Sequence, residues 1–112
     1  MIMRTWRGAV GAADAEQYLA HQASTGVREY RQAPGNAGVL VLRRTRGDLC
    51  EITTVSFWES VEAVRRFAGE DLERAKFYPG DDGFLVEKDL HVNHYEVVSA
   101  DVDVSALHAQ AR

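Results

Sequence analysis

Small and apolar side chains between Ala12 and Gln32 return at three- and four-residue steps: Ala15, Tyr18, Leu19, Ala23, Val27 and Tyr30. That spacing lines one side of an α-helix and predicts a helix across the segment. Asp14 and Glu16 suit its electropositive start, and Pro34-Gly35-Asn36 stops it, because proline lacks the amide hydrogen a further turn needs. Gly26 interrupts the pattern at a cost of about 1 kcal/mol relative to alanine, so the helix is expected to bend there or admit another backbone at close range. Ahead of it, residues 2–8 alternate, with Ile2, Arg4 and Trp6 on one side and Met3, Thr5 and Arg7 on the other. This is the two-residue period of a strand.

Two runs rich in Val, Leu, Ile and Thr, residues 38–45 and 49–58, flank Arg46-Gly47-Asp48 and predict a β-hairpin. In the second run Ile52, Thr54, Ser56 and Trp58 share a face. Ser60 is placed to cap a helix whose stripe is Val61, Val64, Phe67 and Ala68, with Gly69 at its end. A short helical piece over 71–77, an exposed loop at Gly80 to Gly83 and a last long strand over 90–98 complete the reading.

The resulting order, β-α-β-β-α-β, is that of an α+β fold: the ferredoxin-like split βαβ, one antiparallel sheet with both helices on one face. Two helices cover only one face, yet Ile52, Thr54, Val55, Phe57, Val97, Val98 and the run Val39 to Leu42 supply apolar groups to both. A homodimer pairing the sheets face to face is therefore expected. Residues 1–98 form the domain, and the Ala-rich residues 99–112 are a frayed tail or a dimer arm.

Composition narrows the classes. The chain has 112 residues, 13 Lys and Arg against 17 Asp and Glu, and a net charge of −4. This suits one domain and argues against nucleic acid as partner, since no basic face is massed for phosphates. A single cysteine, Cys50, rules out an internal disulfide framework and a Cys-based zinc cluster, and fits the cytoplasm. No apolar run is long enough for a membrane span. A domain of this size has material for a core but not for a large private cavity as well.

Candidate chemistry centres on His91-Val92-Asn93-His94-Tyr95-Glu96. Alternation places His91, Asn93 and Tyr95 on one side and Val92, His94 and Glu96 on the other, so the two histidines cannot chelate one ion and no metal site is expected. His94 has a proton to exchange near neutral pH, with Glu96 on its face; the alternative is a hydrogen-bonded, half-buried histidine. Trp6, Trp58, Phe67, Phe77, Tyr78 and Tyr30 belong mostly to the core. The polar tips of Trp and Tyr, with Arg4 nearby, also suit a pocket for a flat aromatic ligand. Arg43, Arg44 and Arg46 read as solvated partners of acids. No phosphate loop and no GxSxG serine motif occurs.

Arg4-Thr5-Trp6-Arg7-Gly8, Pro34-Gly35-Asn36, Ser56-Phe57-Trp58-Glu59-Ser60, Phe67-Ala68-Gly69-Glu70-Asp71 through Phe77-Tyr78-Pro79, and His94-Tyr95-Glu96-Val97 together resemble the antibiotic biosynthesis monooxygenase-like family, over residues 1–98. The resemblance implies the dimeric α+β barrel. It also implies a cofactor-independent monooxygenase, or a related tailoring enzyme, acting with O2 on an aromatic, polyketide-like small molecule. In such oxygenases a deprotonated substrate meets O2 directly, so the protein supplies a base, an apolar pocket and protection from water. Carried onto this chain, the scheme has Trp6, Trp58, Phe67 and Tyr78 against the substrate and Arg4 or Asn93 holding one of its oxygens. His94 or Tyr95 handles the proton; the two cannot face one pocket, and His94 is preferred.

The superfamily also holds haem-degrading enzymes, marked by an Asn on the first strand, a Trp in the second helix and an iron-ligating His after it. Trp6, Phe67 and Phe77 hold those places here, so haem would need His91 or His94 as a substitute ligand. A non-catalytic small-molecule-binding barrel is the remaining class.

Overall fold

The computed structural model describes residues 1–110. Its sheet is built around β1 (Ile2–Gly11), which pairs along its whole length with β3 (Leu49–Trp58) on one side. On the other side β1 pairs with β4 (Leu85–Lys88) near its end and with β5 (Asn93–Glu96) near its start. β2 (Asn36–Arg46) completes the antiparallel sheet beside β3. α1 (Ala15–Ser24), α2 (Gly26–Gln32) and α3 (Val61–Ala68) pack on one face, and the exposed α4 (Val104–Gln110) follows the sheet. The expected ferredoxin-like strand order is present.

Register decides what faces the helices. Ile2, Arg4, Trp6 and Gly8 stand opposite Trp58, Ser56, Thr54 and Ile52, and Arg4 also stands opposite His94. Two apolar clusters hold the ends of this face. Val10, Cys50 and Ile52 pack on Ala15 and Tyr18; Trp58 packs on Ala63 and Val64, with Tyr30 and Phe67 around it. Between them the inward face turns polar, at Arg4, Thr54 and Ser56, all buried. A polar strip under helices is where a site is expected, because core packing alone favours apolar groups there.

Several elements differ from the sequence expectation. β1 continues to Gly11 rather than ending at Gly8, since Ala9 and Val10 pair with Glu51 and Cys50 and are fully buried. The first helix breaks at Thr25, with φ −116° and ψ −91°. The group that approaches Gly26 is a side chain rather than a backbone: a methyl there would lie 3.4 Å from the Tyr78 ring.

The helical piece over 71–77 does not form. Its backbone is spent on distant partners: the Ala75 amide donates to Leu90 O at 2.8 Å, the Val92 amide to Glu73 O at 2.7 Å, and Arg74 bridges His91. The long strand over 90–98 is shorter, and β4 before it was not foreseen. Gly80 to Gly83 is a tight turn rather than an open loop, with Asp81 buried. Ser60 does cap α3, its hydroxyl accepting from the Ala63 amide at 3.2 Å.

Candidate ligand-binding site

The polar strip is roofed by the break between α1 and α2 and by the strap of residues 69–84 that leads from α3 to β4. The space enclosed measures about 30 Å³, room for one or two waters. Its wall is largely aromatic: Trp6 from β1, Tyr18 and Tyr30 from the helices, Phe77 and Tyr78 from the strap. Trp6 lies against Gly8, where an added methyl would come within 2.5 Å of the ring, and its indole N–H donates to Asp89 O at 2.9 Å. Trp6 meets Phe77 edge to face at 6.2 Å. One wall group therefore holds the next.

Polar groups enter this wall at three points. Gln22 donates to the Thr54 hydroxyl at 2.7 Å, while its Oε1 is buried with no protein partner. The Tyr78 hydroxyl is also buried and unpartnered. Asp81 holds the strap to α1: its Oδ1 lies 2.7 Å from His21 Nε2, and its Oδ2 accepts the Tyr78 amide at 2.8 Å. Lys76, in the same wall, is paired with Glu29. Burial pushes the hydroxyls of Tyr18, Tyr30 and Tyr78 upward, with Asp81 adding to the effect on Tyr18 and Glu29 to that on Tyr78. All three phenols are neutral at physiological pH and serve as donors rather than bases.

Arg4 lies beneath the strap. It is 2% exposed, and its Nη1 donates to Leu72 O at 2.7 Å and to His94 Nε2 at 3.0 Å, while Nη2 donates to Arg74 O at 3.2 Å. A guanidinium only donates, so His94 Nε2 accepts and the ring proton sits on Nδ1. Burial first, then the Arg4 charge, holds the His94 imidazolium below its ordinary range. Burial also lowers Arg4 from its usual value, with Tyr30 opposing the shift.

The residues anticipated from sequence divide accordingly. Trp6 and Tyr78 line the cavity, and Arg4 and His94 are joined on the same side of the sheet. Trp58 is fully enclosed, donates to the Ser56 hydroxyl at 2.9 Å and stacks 5.0 Å from Phe67, so both rings sit in the packing of α3. Asn93 and Tyr95 pair with Thr5 and Met3 on the opposite face, exposed. The structure thus does not bring them to the cavity. The His21–Asp81 pair and Gln22 were missed by sequence reasoning. Their signal was faint: His21 and Gln22 fall on the same helical stripe as Tyr18, where polar side chains call for buried partners.

No protein-family model and no curated protein matches the sequence. Solved structures match the fold. A Bacillus cereus protein provisionally assigned as an antibiotic biosynthesis monooxygenase superposes with a TM-score of 0.65 at 18% identity, over 91% of this chain and 97% of that one. SnoaB, a cofactor-independent oxygenase from Streptomyces nogalater, gives 0.55 at 16% identity, over 88% and 94%. The haem-degrader MhuD of Mycobacterium tuberculosis, with two haems in its active site, gives 0.54 at 21% identity, over 92% and 100%. The resemblance noted in the sequence is thereby met at the level of the fold.

Proposed function

We propose that this chain binds a flat aromatic small molecule between its sheet, the α1–α2 break and the strap, and oxygenates it without a cofactor. The observation that carries the reading is the aromatic wall in which two lining residues, Gln22 and Tyr78, each keep a buried polar atom, Oε1 and OH, without a protein partner. Buried polar groups are rarely left so, and a ligand oxygen or hydroxyl is their natural complement. The fold shared with SnoaB agrees with this chemistry.

The reaction balances without a reductant. A CH2 held between aryl rings loses its two hydrogens and becomes C=O; one atom of O2 enters the product and the other leaves as water. The protein must take up the first proton, and we assign this to Asp81, which lines the cavity and is held from behind by His21. His94, the residue favoured by the sequence, has its Nε2 lone pair engaged by Arg4. Trp6 and Tyr78 hold the ring system. Because the cavity admits only one or two waters, entry moves Phe77 and Tyr78 outward with the strap, and closure then excludes water.

Haem fits these residues poorly. The histidines on the helical side, His21 and His94, each have Nε2 engaged, and His91 is exposed and outside the cavity lining. A binding protein without turnover is the second reading, favoured because Asp81, His94 and Lys76 are each engaged by a protein partner. Two copies paired through their uncovered sheet faces complete the proposal.

An oxygen electrode tests it. Chelator-treated protein is expected to consume O2 and anthrone one to one, and Asp81→Asn to slow uptake more than tenfold. Saturable anthrone binding without uptake would establish the second reading instead.

A further inference from the structure

Arg4 is a full positive charge enclosed in the domain without a negative partner. Among the described residues no carboxylate lies within ion-pair distance of it; its acceptors are two backbone carbonyls and a neutral imidazole. Such a group is costly to bury, because carbonyl dipoles solvate the charge but do not cancel it. One donor is also unused: Nε is fully buried with no acceptor. The guanidinium lies beside Tyr30, within electrostatic reach of Tyr78, and both rings line the cavity. Phe67 closes its other side, 5.9 Å from ring centre to guanidinium carbon.

The other cation at the cavity is already balanced, as is the cluster across the sheet. Lys76, in the cavity wall, is paired with Glu29, and on the opposite face of the sheet Arg7, Arg44 and Arg46 are met by Glu51, Glu87 and Asp89. Arg4 alone among these has spare charge and a spare donor on the helical side.

We infer that the ligand is an anion: an aromatic carboxylate, one of whose oxygens is received by Arg4, which lies beside Tyr30 of the cavity wall. The inference rests on the aromatic-site reading above and adds the charge of the molecule to it. Aromatic rings then occupy the space between Trp6 and Tyr78, and the anionic oxygen takes the Nε hydrogen. A charge-assisted bond in a water-poor site discriminates strongly against a neutral analogue.

The test compares 2-naphthoate with 2-naphthamide, matched in shape and differing in charge, by titration calorimetry at one ionic strength. Naphthoate is expected to bind the wild-type chain at least tenfold more tightly. That preference should fall to near parity in Arg4→Gln, survive largely in Arg4→Lys, and persist in Lys76→Gln. Equal binding of the two probes overturns the inference and leaves the aromatic site standing; binding of neither overturns both. Loss of the preference in Lys76→Gln but not in Arg4→Gln moves the anion to the wrong cation and also overturns it. Should Arg4→Gln not fold, nitrogen NMR of the wild-type chain decides: the Arg4 Nε–H signal, assigned by its absence in Arg4→Lys, must shift with naphthoate and not with naphthamide. An unmoved signal refutes the assignment.

Discussion

The Arg4–His94 contact shows how one residue's chemistry sets its neighbour's. The strap brings Glu73 toward His94, which favours the imidazolium, but burial and the facing Arg4 charge from β1 outweigh it. The folded chain therefore binds a proton here less readily than the unfolded chain, whose histidine titrates near 6.5. Where the unfolded state holds more protons, stability rises with pH, so this residue costs nothing at neutral pH and destabilises progressively as pH drops through 6.5 toward the lower folded value. Urea midpoints measured from pH 7.5 down to about 5 are expected to fall, and His94→Gln to flatten that slope while leaving the neutral midpoint nearly unchanged. A variant slope equal to the wild-type one would show that His94 is not the group responsible. Alternation along the strand had already put His94 opposite Asn93 and Tyr95 in facing. It had no means of showing that an arginine ninety residues earlier would occupy the imidazole nitrogen.

Among the elements, those whose hydrogen bonds close locally were readable in advance. β3 begins and ends where its apolar run does, and Ser60 and Gly69 bound α3 as their chemistry dictates. The strap was not readable, because its backbone groups pair with residues far along the chain and its sequence, Asp71 to Phe77, suits a helix just as well. Its tethers are correspondingly discrete: Arg4 on the Leu72 and Arg74 carbonyls, Lys76 on Glu29, and His21 on Asp81. Segments held by few contacts open at a lower free energy than the whole domain. Replacing His21 by Ala removes the tether nearest Tyr78 and leaves the sheet intact. Amide exchange in residues 75–83 is expected to accelerate at least tenfold, with the exchange of β1 and β3 unchanged. Uniform acceleration across both regions would mean that His21 supports the core rather than the strap.

At the scale of the whole molecule, the division of labour between the two sheet faces is the deciding feature. The helical face holds both apolar clusters and the cavity. The opposite face has no helix, yet Leu40, Leu42, Val55, Phe57, Met3 and Tyr95 lie on it by strand register, with Leu42 and Tyr95 about half exposed. Toward the far end of the same face Arg7, Arg44 and Arg46 are met by Glu51, Glu87 and Asp89, a neutralised cluster that leaves the apolar end as the place for contact. A patch of this kind is covered most economically by its own copy, since a two-fold axis presents it with a surface of identical composition. Sedimentation at micromolar concentration is expected to give a mass near twice the 12.5 kDa of the chain. Leu42→Asp, on an exposed position of the edge strand β2, should shift the equilibrium toward the single chain without loss of thermal stability in the monomer's own core. A wild-type protein that sediments as one chain at those concentrations would refute the pairing. The apolar face would then need another occupant, while the cavity, which lies wholly within one chain, would keep its assignment.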